Sequence, residues 1–172
     1  MACASHTPSI AASGMTLAQK LLADRALSPE QTRAVAGAIS DAARVDAGGD
    51  VTRLKCVQCA LALVQSVEDE TTTSTAMAAC VRVLMAESEG VSATAAATTR
   101  QAAFHVFSKV QPDPASVTAT PTREGARVPT LTAVAETALV LFEDLCALAG
   151  GKGAEWLGFD KGFATERVKI FA

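Results

Sequence analysis

Residues 51–67, with the sequence VTRLKCVQCALALVQSV, give the clearest indication of the fold. The larger apolar side chains recur every three or four residues, which is the period of one face of an α-helix. Asp50 precedes them as the predicted N-cap. The segment is therefore predicted to be an amphipathic helix that packs along a stripe formed by Val51, Leu54, Val57, Leu61, Val64 and Val67.

The preceding segment carries a helix start signal. Ser28-Pro29-Glu30-Gln31 combines an N-cap serine, a proline suited to the first helical position and a glutamine that can complete a capping box. This pattern predicts a helix over about residues 29–45. Gly48 and Gly49 follow that segment and are predicted to end it.

The segments on the other side continue the helical pattern. Residues 68–73, EDETTT, are predicted to form a short turn, and the apolar stripe from Met77 to Met85 predicts a helix that Gly90 ends. Further helices are predicted over about residues 92–110 and 131–148. The second of these is the most regular in the chain, and Gly150 and Gly151 are predicted to end it.

The remaining segments set the domain organisation. Residues 111–129 contain four prolines among Ser, Thr and Gly, which predicts a mobile loop. Residues 1–14 are predicted to be a flexible N-terminus, and residues 15–172 a helical domain that starts with a short helix near residues 16–24. Residues 156–172 carry further apolar residues and end without a capping residue, so we expect a helix that is cut at the end of the chain, as in a fragment of a longer helical protein.

Seven or eight helices joined by short connections predict an all-α fold. Stacked helical pairs of the armadillo or HEAT type, which form an α-superhelix, fit this pattern. No repeat of about 40 residues is visible, so a closed helical bundle is the alternative architecture.

The composition narrows the functional classes. The 172 residues are 49% hydrophobic and 4% aromatic with no Tyr, which favours helix over β-sheet. The net charge of -3 and the lack of a long basic run argue against nucleic-acid binding. No apolar run reaches the ~18 residues that a membrane-spanning helix needs.

Cys56 and Cys59 are the residues that most invite a chemical interpretation. Two thiols three residues apart can share a metal or form a labile disulfide. They lie inside a predicted helix with no strand before it, and no second pair completes a zinc site. The sequence therefore predicts no catalytic residue, metal, cofactor or small-molecule substrate, while a small thiol or redox protein using these two cysteines stays as an alternative.

Four stretches together resemble a known family, the dimerisation-and-cyclophilin-binding (DCB) region of the large Arf guanine-nucleotide exchange factors and of their non-catalytic relative, the Mon-two (monensin-sensitivity) scaffold. Residues 95–107, AAATTRQAAFHVF, carry the most specific likeness, to an Ala-Thr-x-Arg-Gln…Phe pattern. Residues 54–66 resemble the Leu-Lys-x-Leu-Gln helix, and residues 80–84 the helix after it. Residues 141–148, followed by Glu155-Trp156-Leu157, look more like the Mon-two branch.

The resemblance implies an armadillo-like α-superhelix without a catalytic centre. It implies a cytoplasmic trafficking scaffold, peripheral at trans-Golgi network and endosome membranes, where it associates with the membrane through its partners. The partners implied are a second copy, the downstream homology box and proteins of the Arf-like GTPase pathway. The polar members of the matched helices are the candidate interaction residues, namely Lys55, Gln58, Arg100 and Gln101.

A second interpretation follows from the same resemblance. The chain would then be the regulatory N-terminal region of an active large Arf guanine-nucleotide exchange factor, whose catalytic domain lies downstream. Composition does not separate this alternative from the scaffold, because both would use the same type of helical module.

Overall fold

The computed structural model describes residues 8–44, 49–110 and 131–163. Within these ranges the protein consists of six α-helices and has no β-strand. The all-α class is confirmed, whereas the number of helices described is below the seven or eight predicted. The helices are α1 (Pro8–Ala23), α2 (Pro29–Arg44), α3 (Asp50–Ser66), α4 (Glu70–Val83), α5 (Glu89–Ser108) and α6 (Ala133–Ala149).

The helices alternate between two layers. Helices α1, α3 and α5 pack side by side in one layer, and α2 packs beside α4 in the other. Helix α3 also contacts both α2 and α4, so that it joins the layers, while α6 packs on α5. Packing of each helix against its next-but-one neighbour is what stacked helical pairs produce.

Helix α3 forms the centre of the core, and its burial differs from the predicted stripe. Val57 and Val64 are buried as expected, but Val51 is 65% exposed. Cys59 and Leu63, which lie off the predicted stripe, are fully buried. The reason is that α1, α2, α4 and α5 all contact α3, so that most of its circumference is covered. Small side chains such as Cys59 allow the close approach.

The capping box that starts α2 is confirmed. The backbone N–H of Ser28 donates to Gln31 Oε1 at 2.9 Å, and the N–H of Gln31 donates to Ser28 Oγ at 3.3 Å. At α3, the residue before the helix is Gly49, and Asp50 is the first helical residue instead of the predicted cap.

Two predicted breaks lie inside helices. Residues 70–73, expected in a turn, form the first turn of α4, because the carboxylate of Asp69 accepts a hydrogen bond from the N–H of Thr72 and so caps the helix. Gly90, expected to end a helix, lies in the first turn of α5, and α4 ends at Val83. Tertiary burial of Thr72 and Thr73 offsets the weak helix propensity of the threonines.

The N-terminal helix is longer than predicted. Helix α1 begins at Pro8, so residues 8–14, expected to belong to a flexible N-terminus, form helical turns with Ala11 buried. Pro8 suits this start because its ring presets the backbone for a first helical position. The predicted loop over residues 111–129 and the glycine Gly48 lie outside the described residues.

The segment after α6 folds back onto α4 instead of continuing as a helix. Gly150 caps α6, and Gly151 adopts a φ of 71°, which turns the chain away as predicted for this glycine pair. Residues 154–163 then form turns, with a bridge between Ala154 and Phe159. The Ser74 hydroxyl of α4 donates to the Trp156 carbonyl. The expected helix over residues 156–172 is therefore wrong as far as residue 163.

Candidate interaction surface

The four candidate residues lie on α3 and α5, which are neighbours in one layer. Gln58, Arg100 and Gln101 are exposed, and Lys55 is half-buried. Lys55 Nζ donates a hydrogen bond to Gln58 Oε1 at 3.2 Å, so these two side chains support each other on α3. None of the four is among the residues that α3 and α5 bury in the core.

The helices of this layer also carry exposed apolar residues. Phe104 on α5 is 73% exposed, and Ile10 and Leu17 on α1 are about half exposed or more. By contrast, no large apolar side chain of the described helices α2 and α4 is exposed. We define the outer face as the exposed side of α1, α3 and α5, with the residues Ile10, Leu17, Val51, Lys55, Gln58, Arg100, Gln101 and Phe104.

Helical periodicity explains why these residues share a side. Helix α5 buries Ala95, Thr99 and Val106 against the core, so residues about half a turn away point outward. Phe104 is four residues after Arg100, and the two side chains therefore lie next to each other on the helix surface. An aromatic ring beside an arginine is typical of protein–protein interfaces.

Sequence reasoning named the polar residues of α5 but missed Phe104. The available signal was an aromatic residue outside the core stripe of its helix, next to Arg100 and Gln101. Several exposed large apolar side chains on a polar protein surface indicate a binding site, whereas isolated ones are common on protein surfaces. Only the packing of the helices places Phe104 in the same layer as the exposed residues Leu17 on α1 and Val51 on α3.

The pair Cys56 and Cys59 does not form an accessible thiol site. Cys56 is 1% exposed, and its Sγ donates to the carbonyl of Ile39 at 3.4 Å. Cys59 is fully buried. A redox or nucleophilic cysteine needs an accessible thiolate, so the two residues lack the surroundings that the thiol alternative requires.

A groove of about 420 Å³ lies where α1, α3 and α5 end, and it contains His105 and Lys109. Lys109 Nζ donates to the Val67 carbonyl at 3.2 Å. His105 Nε2 is buried without a hydrogen-bond partner in the described part of the chain. Burial, and secondarily the charge of Lys109, lowers the pKa of His105, so the imidazole is neutral near pH 7. The described lining of this groove contains no cysteine, and the hydroxyl of its serine, Ser66, donates to the Leu63 carbonyl at 3.2 Å.

Two further properties of the described residues bear on function. No group of three His, Cys, Asp or Glu side chains in residues 8–44, 49–110 and 131–163 is placed to hold a metal ion. Over the same ranges, none of the helices combines the length and the apolar character needed to span a membrane.

Comparison with protein families identifies the module. The family model described as the Mon2/Sec7/BIG1-like dimerisation and cyclophilin-binding domain, DCB, matches residues 1–114. The match includes α1 to α5 and therefore the whole outer face, and it starts before the boundary predicted at residue 15. No curated protein and no solved structure matches the chain. The chain belongs to the Mon2/Sec7/BIG1-like DCB domain family, whose domain is a dimerisation and protein-binding module.

Proposed function

We propose that this chain is a non-catalytic scaffold module of vesicle trafficking at the trans-Golgi network and endosomes. It acts through self-association and through binding of the downstream homology box and proteins of the Arf-like GTPase pathway. The observation that carries the proposal is the outer face, a layer surface with exposed apolar side chains inside a dimerisation and protein-binding domain. The module would be cytoplasmic, and it would associate peripherally with the membrane through its partners.

Phe104 is the proposed anchor of the interface. Removing an exposed phenylalanine ring from water stabilises a complex by about 1.5–3 kcal/mol. Phe104 is the most exposed large apolar residue of the described chain. Val51 on the neighbouring α3 and Leu17 on α1, the third helix of the layer, are the further exposed apolar side chains that would take part in the interface.

The four polar candidates would form the rim of this interface. Arg100 and Gln101 flank Phe104 on α5, and the hydrogen-bonded pair Lys55 and Gln58 lies on α3. Rim charges influence association rate and partner choice more than affinity. We therefore assign orientation and selectivity to these four residues, and affinity to the apolar side chains.

The second candidate function is the regulatory region of an active large Arf guanine-nucleotide exchange factor. The matching family model covers Sec7-like and BIG1-like proteins as well as Mon2-like ones, which favours keeping this alternative. Both functions would use the same helical module, and both would use the outer face. The thiol or redox alternative is not retained because Cys56 and Cys59 are buried.

Self-association is tested by sedimentation velocity over a range of protein concentrations. We expect the wild-type chain to form a dimer and Phe104→Asp to dissociate it, with a dimer dissociation constant at least about tenfold higher. Phe142→Asp is the matched control, because Phe142 is 56% exposed on α6, outside the outer face. Far-UV circular dichroism verifies that both variants are folded. A Phe104→Asp dimer as stable as the wild-type dimer would refute the role of the outer face.

Partner binding is tested by pull-down with the purified downstream homology box and with purified Arf-like GTPases in their GTP-bound form. The proposal expects capture of at least one of them by the wild-type chain and weaker capture by Arg100→Glu. Arg33→Glu, at an exposed position of α2, is the control for a change of net charge. A chain that binds neither itself nor any of these proteins contradicts the scaffold function.

A further inference from the structure

A second cavity lies where α2 ends, α3 begins and α4 ends. Its volume is about 330 Å³, and three arginines, Arg44, Arg53 and Arg82, contribute to its wall. The described residues of the lining include no Asp or Glu. We call this cavity the arginine pocket, with the remaining lining residues Ala43, Val83, Met85, Ala86 and Phe163. It contains none of the residues that define the outer face.

Helix dipoles explain only part of this arrangement. Arg44 and Arg82 lie in the last turns of α2 and α4, where a cation is favoured by about 0.3–1 kcal/mol. Arg53 lies in the first turns of α3, where the positive end of the dipole disfavours a cation. The dipoles therefore favour the positions of Arg44 and Arg82 but not that of Arg53.

The segment after α6 helps to build the pocket. The guanidinium carbon of Arg82 lies 4.8 Å from the centroid of the Phe159 ring, a cation–π contact. Phe159 stacks on Phe163 with 4.0 Å between ring centroids, and Phe163 lines the cavity. Arg82 is thus held against an aromatic wall, and less side-chain entropy is lost when it binds a ligand.

The charges in the pocket repel each other. Burial, and secondarily the charge of Arg44, lowers the pKa of Arg82, which shows that these guanidinium groups lie close enough to interact. Guanidinium groups with this arrangement match the planar oxygens of a carboxylate or phosphate. An anion in the pocket would relieve the repulsion.

The lining points to a peptide as the source of the anion. Met85 and Phe163 add apolar surface next to the arginines, and a cavity of about 330 Å³ accommodates one or two side chains. We propose that the arginine pocket binds an acidic segment of a protein partner, with a Glu or Asp carboxylate at Arg44 and Arg82 and a neighbouring apolar side chain on Met85 and Phe163. The inference rests on the proposed function only in taking the ligand to be a protein.

Fluorescence anisotropy tests this proposal with a short fluorescein-labelled peptide of alternating glutamate and leucine. The matched control peptide has glutamine in place of glutamate. At physiological ionic strength we expect the glutamate peptide to bind and the glutamine peptide not to bind. Arg44→Gln should weaken binding about tenfold, since a charge-assisted hydrogen bond is lost. Arg82→Gln should weaken it too. Because Arg44 is exposed, Arg44→Gln tests the proposal even if Arg82→Gln does not fold.

Control variants separate the pocket from general charge and from self-association. Arg33→Gln removes one charge elsewhere on α2 and should leave peptide affinity unchanged. Phe104→Asp should keep peptide binding, and Arg44→Gln should keep self-association, so that failure of one proposal is distinguishable from failure of the other. Equal weakening by Arg33→Gln and Arg44→Gln would overturn the proposal, as would absence of binding to the wild-type chain.

Binding of anionic lipids or of inorganic anions in the arginine pocket is the remaining possible outcome of the test. Vesicles of phosphatidylcholine with phosphatidylserine, and inorganic phosphate, are offered to the wild-type and Arg44→Gln chains. We expect neither to compete with the glutamate peptide at comparable concentration of anionic groups. Arginine-dependent binding of the vesicles or of phosphate without binding of the peptide would overturn the assignment to an acidic protein segment.

Discussion

Oδ2 of Asp144 accepts a hydrogen bond of 2.7 Å from the backbone N–H of Leu157, and both residues are buried. The bond ties α6 to the segment that folds back onto α4. It explains why an acidic residue lies on the buried side of α6, where the apolar stripe alone predicts none. Without this carboxylate, the N–H of Leu157 would be buried without that partner.

Asp144→Ala is expected to destabilise the protein by about 1–3 kcal/mol, the cost of leaving a buried donor unsatisfied. Asp144→Asn should lose less stability, because the side-chain oxygen of asparagine can still accept the hydrogen bond from Leu157. Urea denaturation followed by circular dichroism measures the free energy of unfolding. Glu143→Ala is the control at the adjacent exposed position and should change stability by no more than about 0.5 kcal/mol. Equal effects of the two alanine variants would contradict the role of Asp144.

Asp69 supplies the cap that starts α4. Its Oδ2 accepts hydrogen bonds from the hydroxyl and from the N–H of Thr72, the latter at 2.9 Å. Asp69→Ala should therefore cost about 0.5–2 kcal/mol of stability, whereas Asp69→Asn retains the cap and should cost little. Thermal unfolding of the two variants at neutral pH distinguishes them. If alanine and asparagine were equivalent, the cap would be unimportant for folding.

The same cap makes stability depend on pH. The hydrogen bonds from the Thr72 hydroxyl and N–H lower the pKa of Asp69 below its ordinary value. Because the pKa of Asp69 is lower in the folded state, its contribution to the free energy of unfolding is complete above the ordinary carboxyl pKa. This contribution is lost as pH falls through the folded-state pKa. Asp69→Asn should flatten this part of the acid unfolding profile. An unchanged profile would show that Asp69 does not contribute.

Thiol accessibility follows the burial of the cysteines. Burial raises the pKa of Cys80 to about 12, although the Thr99 hydroxyl works in the opposite direction, so its thiolate is scarce at pH 8. We expect iodoacetamide to label Cys146, which is exposed, while Cys56, Cys59 and Cys80 react only after unfolding. Mass spectrometry of the Cys3→Ser variant measures this without labelling at residue 3. Rapid labelling of Cys56 or Cys59 in the folded protein would revive the thiol alternative.

His105 should make the protein less stable in mild acid. Its pKa is lowered by burial and then by Lys109, so the unfolded chain takes up the proton at higher pH than the folded chain. The contribution of His105 to the free energy of unfolding is therefore complete above the unfolded-state pKa of about 6.5, and it decreases as pH falls below that value. The charged side chains of Arg25 and Glu68 line the same groove. Denaturation at about pH 7.5 and about pH 5 should show a smaller decrease for His105→Gln than for wild type.

Local signals in the sequence predicted several elements correctly. The capping box at Ser28 and Gln31 predicted the start of α2, and the glycine pair at 150 and 151 predicted the end of α6. Both are interactions between residues close in sequence, which the local pattern contains completely. Residues 70–73 were misplaced because the Asp69 cap and the burial of Thr72 and Thr73 outweighed the weak helix propensity of the threonines. Gly90 was misplaced because the helix that it was expected to end stops at Val83 and the next helix begins at Glu89.

The sequence by itself determined the helical class, the periods of most helices and the family resemblance, because each of these depends on residues within one or two helical turns. The tertiary structure decided which sides of those helices are covered. Val51 follows the apolar period of α3 yet is exposed, and Cys59 is buried, because four helices surround α3 at other angles. It also placed Arg44 and Arg82 on the wall of one cavity, since these residues come from separate helices whose relative placement no local pattern encodes.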